Sequence, residues 1–129
     1  MRHLFVPHHI AVMAKEKGFD VECLGYYNVD PHLKNPAFNQ CKPFKHEWCV
    51  AAPLYQQMVD WFRTTHKLYI QTYKVRNFID ESHCWHVEYI DIVSKVHRSY
   101  PKDKSMVGII EKDYYTAITK AIEEAFKLI

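Results

Sequence analysis

From Pro53 onward the chain follows a helical period. Leu54, Met58, Trp61, Phe62 and Thr65 recur at three- and four-residue intervals, while Gln56, Gln57, Asp60 and Arg63 take the other side. Pro53 has no N–H to leave unsatisfied and its ring presets φ, so it marks a place where this helix can begin. Past His66 the period changes to two. Leu68, Ile70 and Thr72 fall on one face of a strand over 67–75, and Tyr69, Gln71, Tyr73 and Val75 on the other. Residues 83–95 predict a second strand. Trp85, Val87 and Tyr89 share its first face, then Ile90 and Ile92 change the parity, which points to a bulge or strong twist near Tyr89, or to burial on both sides. The two strands pair most simply as an antiparallel hairpin, with a turn over 76–82.

Two more helices frame this centre. One opens at Pro7 and runs to Lys17 with Ile10, Met13 and Ala14 inward, and Gly18 stands where a left-handed cap is wanted. The last runs from about Lys112 to Leu128, with Tyr115, Ile118, Ala121, Ile122, Ala125 and Phe126 on its inner side. Cys23–Asn28 predicts a short strand. Val29–Phe44, with Pro31, Pro36 and Pro43, reads as a long loop, Lys45–Val50 as a brief extended segment, and Tyr100–Met106 as a charged connection. The expectation is an α+β fold in the order α-β-α-β-β-α, three helices packed on a small antiparallel sheet. No repeat or linker divides it, so residues 1–129 are expected to form one domain.

Composition adds three constraints. A net charge of +2 is too weak a field to argue for nucleic-acid polymer binding. Three glycines leave no glycine-rich phosphate loop. Aromatics are 15% of the chain, enough to fill a small core and leave rings over for a surface or pocket. The N-terminus has no uninterrupted apolar run, and no stretch approaches the ~20 residues of a bilayer span. An intracellular, cytoplasmic protein with reduced thiols is expected.

Two clusters invite a metal reading: Cys41, His46 and Cys49, and His83, Cys84 and His86. Neither has paired knuckle spacing, and strand alternation lets at most two of the second trio share an ion, so no metal is assigned. Cys84, His86 and Glu88 on one strand face are the single local arrangement resembling a nucleophile, base and orienter. Adjacent residues on a strand seldom aim a nucleophile into a pocket, and nothing in the sequence brings Asp60 to Asp91. No catalytic residue and no cofactor are assigned. Ligand binding has more behind it. Tyr26, Tyr27, Tyr69, Tyr73 and Trp85 fall on expected strands, with Arg76, His86 and Arg98 near them. Flat rings stack on bases, and guanidinium groups fork phosphate oxygens. Surplus rings would equally suit a dimer interface.

Three stretches carry a resemblance. Lys15–Asp20 (KEKGFD), Ala52–Arg63 (APLYQQMVDWFR) and Lys120–Ile129 (KAIEEAFKLI) are similar to motifs of a group of small proteins from gut-bacterial genomes, prophages and phages. The resemblance brings no catalytic residues with it. It implies a phage-type accessory protein acting on host defence, some of which sequester nucleotide second messengers in compact, commonly oligomeric folds. The leading expectation is therefore a homo-oligomeric sponge for a small nucleotide-type signal, without turnover. The alternatives are a small hydrolase or phosphodiesterase that degrades such a signal, and a protein–protein inhibitor or adaptor.

Overall fold

The computed structural model describes residues 2–28, 37–41, 49–76, 83–93, 97–100 and 113–129. They form three α-helices and two three-stranded antiparallel sheets, an α+β fold. The chain resolves into two compact units, Met1–Trp61 and Phe62–Ile129.

The first unit opens with a 3-10 turn, Arg2–Leu4, followed by α1, His8–Glu16, with Pro7 as its N-cap. Gly18 takes φ +84, and the helix closes as a Schellman motif. The Phe19 N–H donates to Ala14 O at 2.9 Å and the Gly18 N–H to Lys15 O at 3.1 Å. Phe19 thereby folds back and is buried, as are Ile10, Ala11 and Ala14 on the inner side of α1.

Three strands follow: β1, Cys23–Asn28; β2, Ala37–Cys41; and β3, Cys49–Ala52. β1 lies between the other two. Every residue of β3 is buried, as in a strand covered on both faces, and α1 packs against it. β2 falls inside the expected loop. Its polar Asn39 and Gln40 give no apolar alternation, and its pairing to β1 is what makes it a strand.

The central helix α2 spans Tyr55–Thr65, starting two residues past Pro53. Pro53 stays outside because its carbonyl accepts the Val6 N–H at 2.9 Å and Leu54 bridges to Phe5. Gln57 does half the work of a capping box: its Oε1 accepts the Leu54 N–H at 2.9 Å, and its Nε2 donates to Glu22 O at 3.0 Å. Tyr55, Met58, Trp61 and Phe62 are buried, whereas Thr65 at the end of the expected stripe is exposed. The boundary between the units falls within this helix, after Trp61. Past its end Lys67 adopts φ +56, and its Nζ donates to Thr64 O at 2.7 Å.

The second unit is a meander of β4, Leu68–Arg76; β5, His83–Asp91; and β6, His97–Tyr100; then α3, Tyr114–Phe126. The β4–β5 register runs unbroken from Leu68↔Asp91 to Arg76↔His83, so no bulge interrupts Tyr89. β5 stops at Asp91, short of the expected Lys95, because the Asp91 carboxylate accepts the Val93 N–H at 2.9 Å in a side-chain-closed turn. Ile92, like Val93, is exposed in that turn, so the parity change expected from Ile90 and Ile92 does not continue along the strand. Short, polar β6 was not expected as a strand at all.

Leu68, Ile70, Val87 and Tyr89 are buried on one face of this sheet, and α3 packs on β4 and β5. The helix buries Ala117, Ile118, Ala121, Ile122, Ala125 and Phe126. Tyr89 donates its hydroxyl to Ala121 O at 2.6 Å, so its polar tip is satisfied within the core. The expected turn over 77–82 and connection over 101–106 lie outside the described residues, as does His46.

Candidate functional site

The strand register sorts the residues that the sequence suggested for a ligand. Leu68, Ile70, Thr72, Lys74 and Arg76 form one parity of β4, opposite Asp91, Tyr89, Val87, Trp85 and His83 of β5. At the Leu68–Ile70 end this parity is buried. At the other end it is not: Trp85 is half-buried and Lys74, directly across from it, is exposed. The start of α3 comes to this end. Tyr114 meets the Trp85 ring edge-on at 4.9 Å and 66°, and Tyr115 meets Tyr114 at 5.2 Å and 74°. Tyr114 and Tyr115 are also half-buried, so three rings lie side by side with part of each surface open.

Arg76 stands two residues beyond Lys74 in the register, opposite His83. Exposed Lys74, across the register from Trp85, with three half-open rings, offers a ring-stacking surface and a partner for anionic oxygens. The α3 N-terminus is already occupied. The Asp113 carboxylate accepts the Thr116 N–H at 2.8 Å and its hydroxyl at 3.0 Å. Its negative charge neutralises the helix end.

Tyr69 and Tyr73 belong to the opposite parity, with Gln71, and pair with Ile90, His86 and Glu88 respectively as Tyr69↔Ile90, Tyr73↔His86 and Gln71↔Glu88. Both tyrosines are half-buried. The Tyr73 hydroxyl donates to Glu88 Oε1 at 3.1 Å, and its phenol is pushed above the usual tyrosine range by burial first, then by that bond and the charge of Glu88. Arg98 of β6 is the register partner of Tyr89.

Tyr26 and Tyr27 lie on β1, in the first unit, where Tyr26 is half-buried. Tyr27 is 3% exposed, meets His8 edge-on at 5.3 Å, and donates its hydroxyl to Val6 O at 2.6 Å. It is a core residue with its hydroxyl spent on the backbone. Burial, with Tyr55 nearby, pushes its phenol up to about 12 from 10.0. A phenol that keeps its proton to higher pH in the folded state adds stability that is whole below pH 10 and is lost as pH rises to about 12. Tyr27→Phe should therefore cost about 1 kcal/mol at neutral pH, the usual worth of a hydrogen bond. Its deficit against the parent should narrow as pH climbs through that window, read as a converging pair of thermal melts.

The expected constellation is thus divided. Trp85 and Arg76 share a parity with Lys74, while Tyr69, Tyr73 and His86 share the other. Lys74, Tyr114 and Tyr115 are the additions. The sequence signals them only as a paired Tyr-Tyr at a helix start and a lysine in an aromatic strand, and their meeting depends on where α3 docks. Among the described residues no three His, Cys, Asp or Glu side chains converge on a point, and no helix is long and apolar enough to cross a membrane. A scan of family models, a search of curated proteins and a search of solved structures each return no match.

Proposed function

We propose that the protein binds a small nucleotide-type ligand at the Trp85–Tyr114–Tyr115 cluster and holds it without turnover, a sponge of the kind that phage accessory proteins use against host signals. The observation that carries this reading is the half-open aromatic cluster with Lys74 directly across from Trp85 and Arg76 following in the same parity. A base would stack on the rings, and its phosphate would meet the two cations. The other face, with half-buried Tyr69 and Tyr73, would serve as the contact between copies in a homo-oligomer.

Titration calorimetry against cyclic dinucleotides and ADP-ribose derivatives tests the reading. Base–aromatic stacking is worth about 1–3 kcal/mol, so Trp85→Ala should weaken binding roughly 5- to 150-fold, with Trp85→Phe largely rescuing it. No heat or thermal shift from any compound of the panel would count against a nucleotide-type ligand. Ligand recovered intact after denaturation distinguishes a sponge from a hydrolase, which would return cleaved product.

A further inference from the structure

The register of β4 fixes which way its backbone groups point. The Ile92 N–H donates to Lys67 O at 2.9 Å, so Lys67 and Ile92 are a hydrogen-bonded pair at the start of the β4–β5 ladder. Bonded and non-bonded pairs alternate along an antiparallel ladder, and this register runs unbroken from Leu68↔Asp91 to Arg76↔His83. Tyr69, Gln71 and Tyr73 therefore bond β5, while the N–H and C=O of Leu68, Ile70, Thr72 and Lys74 point away from it. Among the described residues, β4 stands at the edge of its sheet, with β5 on one side only. From this row of outward groups we propose that two copies of the chain pair through β4, edge to edge and antiparallel, about a two-fold axis at Thr72.

Natural sheets blunt a long edge with bulges, proline or charge. β4 is nine residues long, has no proline and carries no bulge against β5. Its exposed Lys74 is the residue that would guard the edge. With the axis at Thr72, Lys74 comes opposite the partner's Ile70 and not opposite its own copy, so like charges are not set against each other.

A second copy suits this edge because the strand is complementary to itself. The axis sets the whole of Leu68–Arg76 against its copy and makes about ten backbone hydrogen bonds. Thr72 meets its own counterpart, a favourable cross-strand pair, and Gln71 meets the partner's Tyr73 on the other face, both without charge. Even positions pair with even positions, so two three-stranded meanders become one continuous sheet with each α3 on the same side. α3 packs on both β4 and β5. Strands lie about 4.8 Å apart, which puts the two α3 helices about 10 Å apart, the ordinary spacing of packed helices. The pairing uses the backbone of β4, and so is independent of any ligand at Trp85.

Light scattering on the full chain should give the mass of two chains, falling to that of one on dilution. Amide exchange resolved to single residues should find Ile70, Thr72 and Lys74 protected in the dimer and open after dilution, with Tyr69, Gln71 and Tyr73 protected in both. Thr72→Pro takes one outward N–H from each chain and none from the β4–β5 ladder, the setting in which an edge strand tolerates proline. It should weaken the dimer roughly 5- to 150-fold, the worth of two hydrogen bonds. A Gln71→Cys chain mixed with a Tyr73→Cys chain and oxidised should yield two tryptic 68–74 peptides joined by a disulfide, since opposed non-bonded residues have Cα atoms about 4.5 Å apart. Either chain alone should not. A single-chain mass at every concentration, a monomer in which Ile70, Thr72 and Lys74 are already protected, or a dimer in which they exchange freely would overturn the proposal. The amide pattern of the unmodified chain decides the matter even where Thr72→Pro folds poorly.

Discussion

Alanine at Phe62 is expected to lower the free energy of unfolding by about 3–5 kcal/mol, the range for truncating a large buried aromatic. That is a large share of the about 5–15 kcal/mol available to a typical domain. Phe62 is fully buried and meets Phe126 edge-on at 5.0 Å and 64°. Phe126 is the last residue of α3, so the lost ring should be felt at that end. Two bonds close the helix there: the Lys127 N–H to Glu124 O at 3.1 Å and the Leu128 N–H to Ala125 O at 3.0 Å. Urea denaturation reads the loss, and hydrogen exchange should show these amides losing protection first. A shift under about 1 kcal/mol, the ordinary size for a point substitution, would show that the side chain is not packed as described.

Trp61→Ala should cost a similar about 3–5 kcal/mol, yet be felt elsewhere. Trp61 is 3% exposed and meets Phe19 edge-on at 5.6 Å and 66°. Phe19 is the residue that folds back over the end of α1, donating to Ala14 O. Removing the indole takes away the surface this turn rests on. Exchange should accelerate at the Gly18 and Phe19 amides, which close the helix. The comparison is sharp because the two substitutions are adjacent in sequence. Identical exchange patterns in the two variants would contradict the division of contacts at Trp61.

The helices were legible because each is long enough to show its own period. α3 buries Ile118, Ala121, Ile122, Ala125 and Phe126, all assigned to its inner side from spacing alone. Gly18 marked the end of α1 because few residues tolerate its backbone angle. β4 was equally readable, since its alternation comes from one covered face. β2 and β6 were not. Each is short and carries polar residues, and each exists through pairing with a neighbour, information that no local window holds.

The same distinction governs the site. Trp85 could be placed on a strand from residue type and spacing. The placing of Tyr114 beside it could not, because that contact is made by a helix arriving from later in the chain. Tyr27 looked like a ligand-facing ring for the mirror-image reason: only the distant Val6 carbonyl reveals its hydroxyl as a core hydrogen bond.

The continuity of α2 through residue 61 bears on any attempt to dissect the protein genetically. A polypeptide severed between Trp61 and Phe62 would leave seven residues of that helix with one piece and four with the other. Helices shorter than about 12–15 residues are marginal in water on their own. Neither piece should be recoverable with its part of α2 intact, and circular dichroism of each piece alone should show less helix than its residues hold in the full chain.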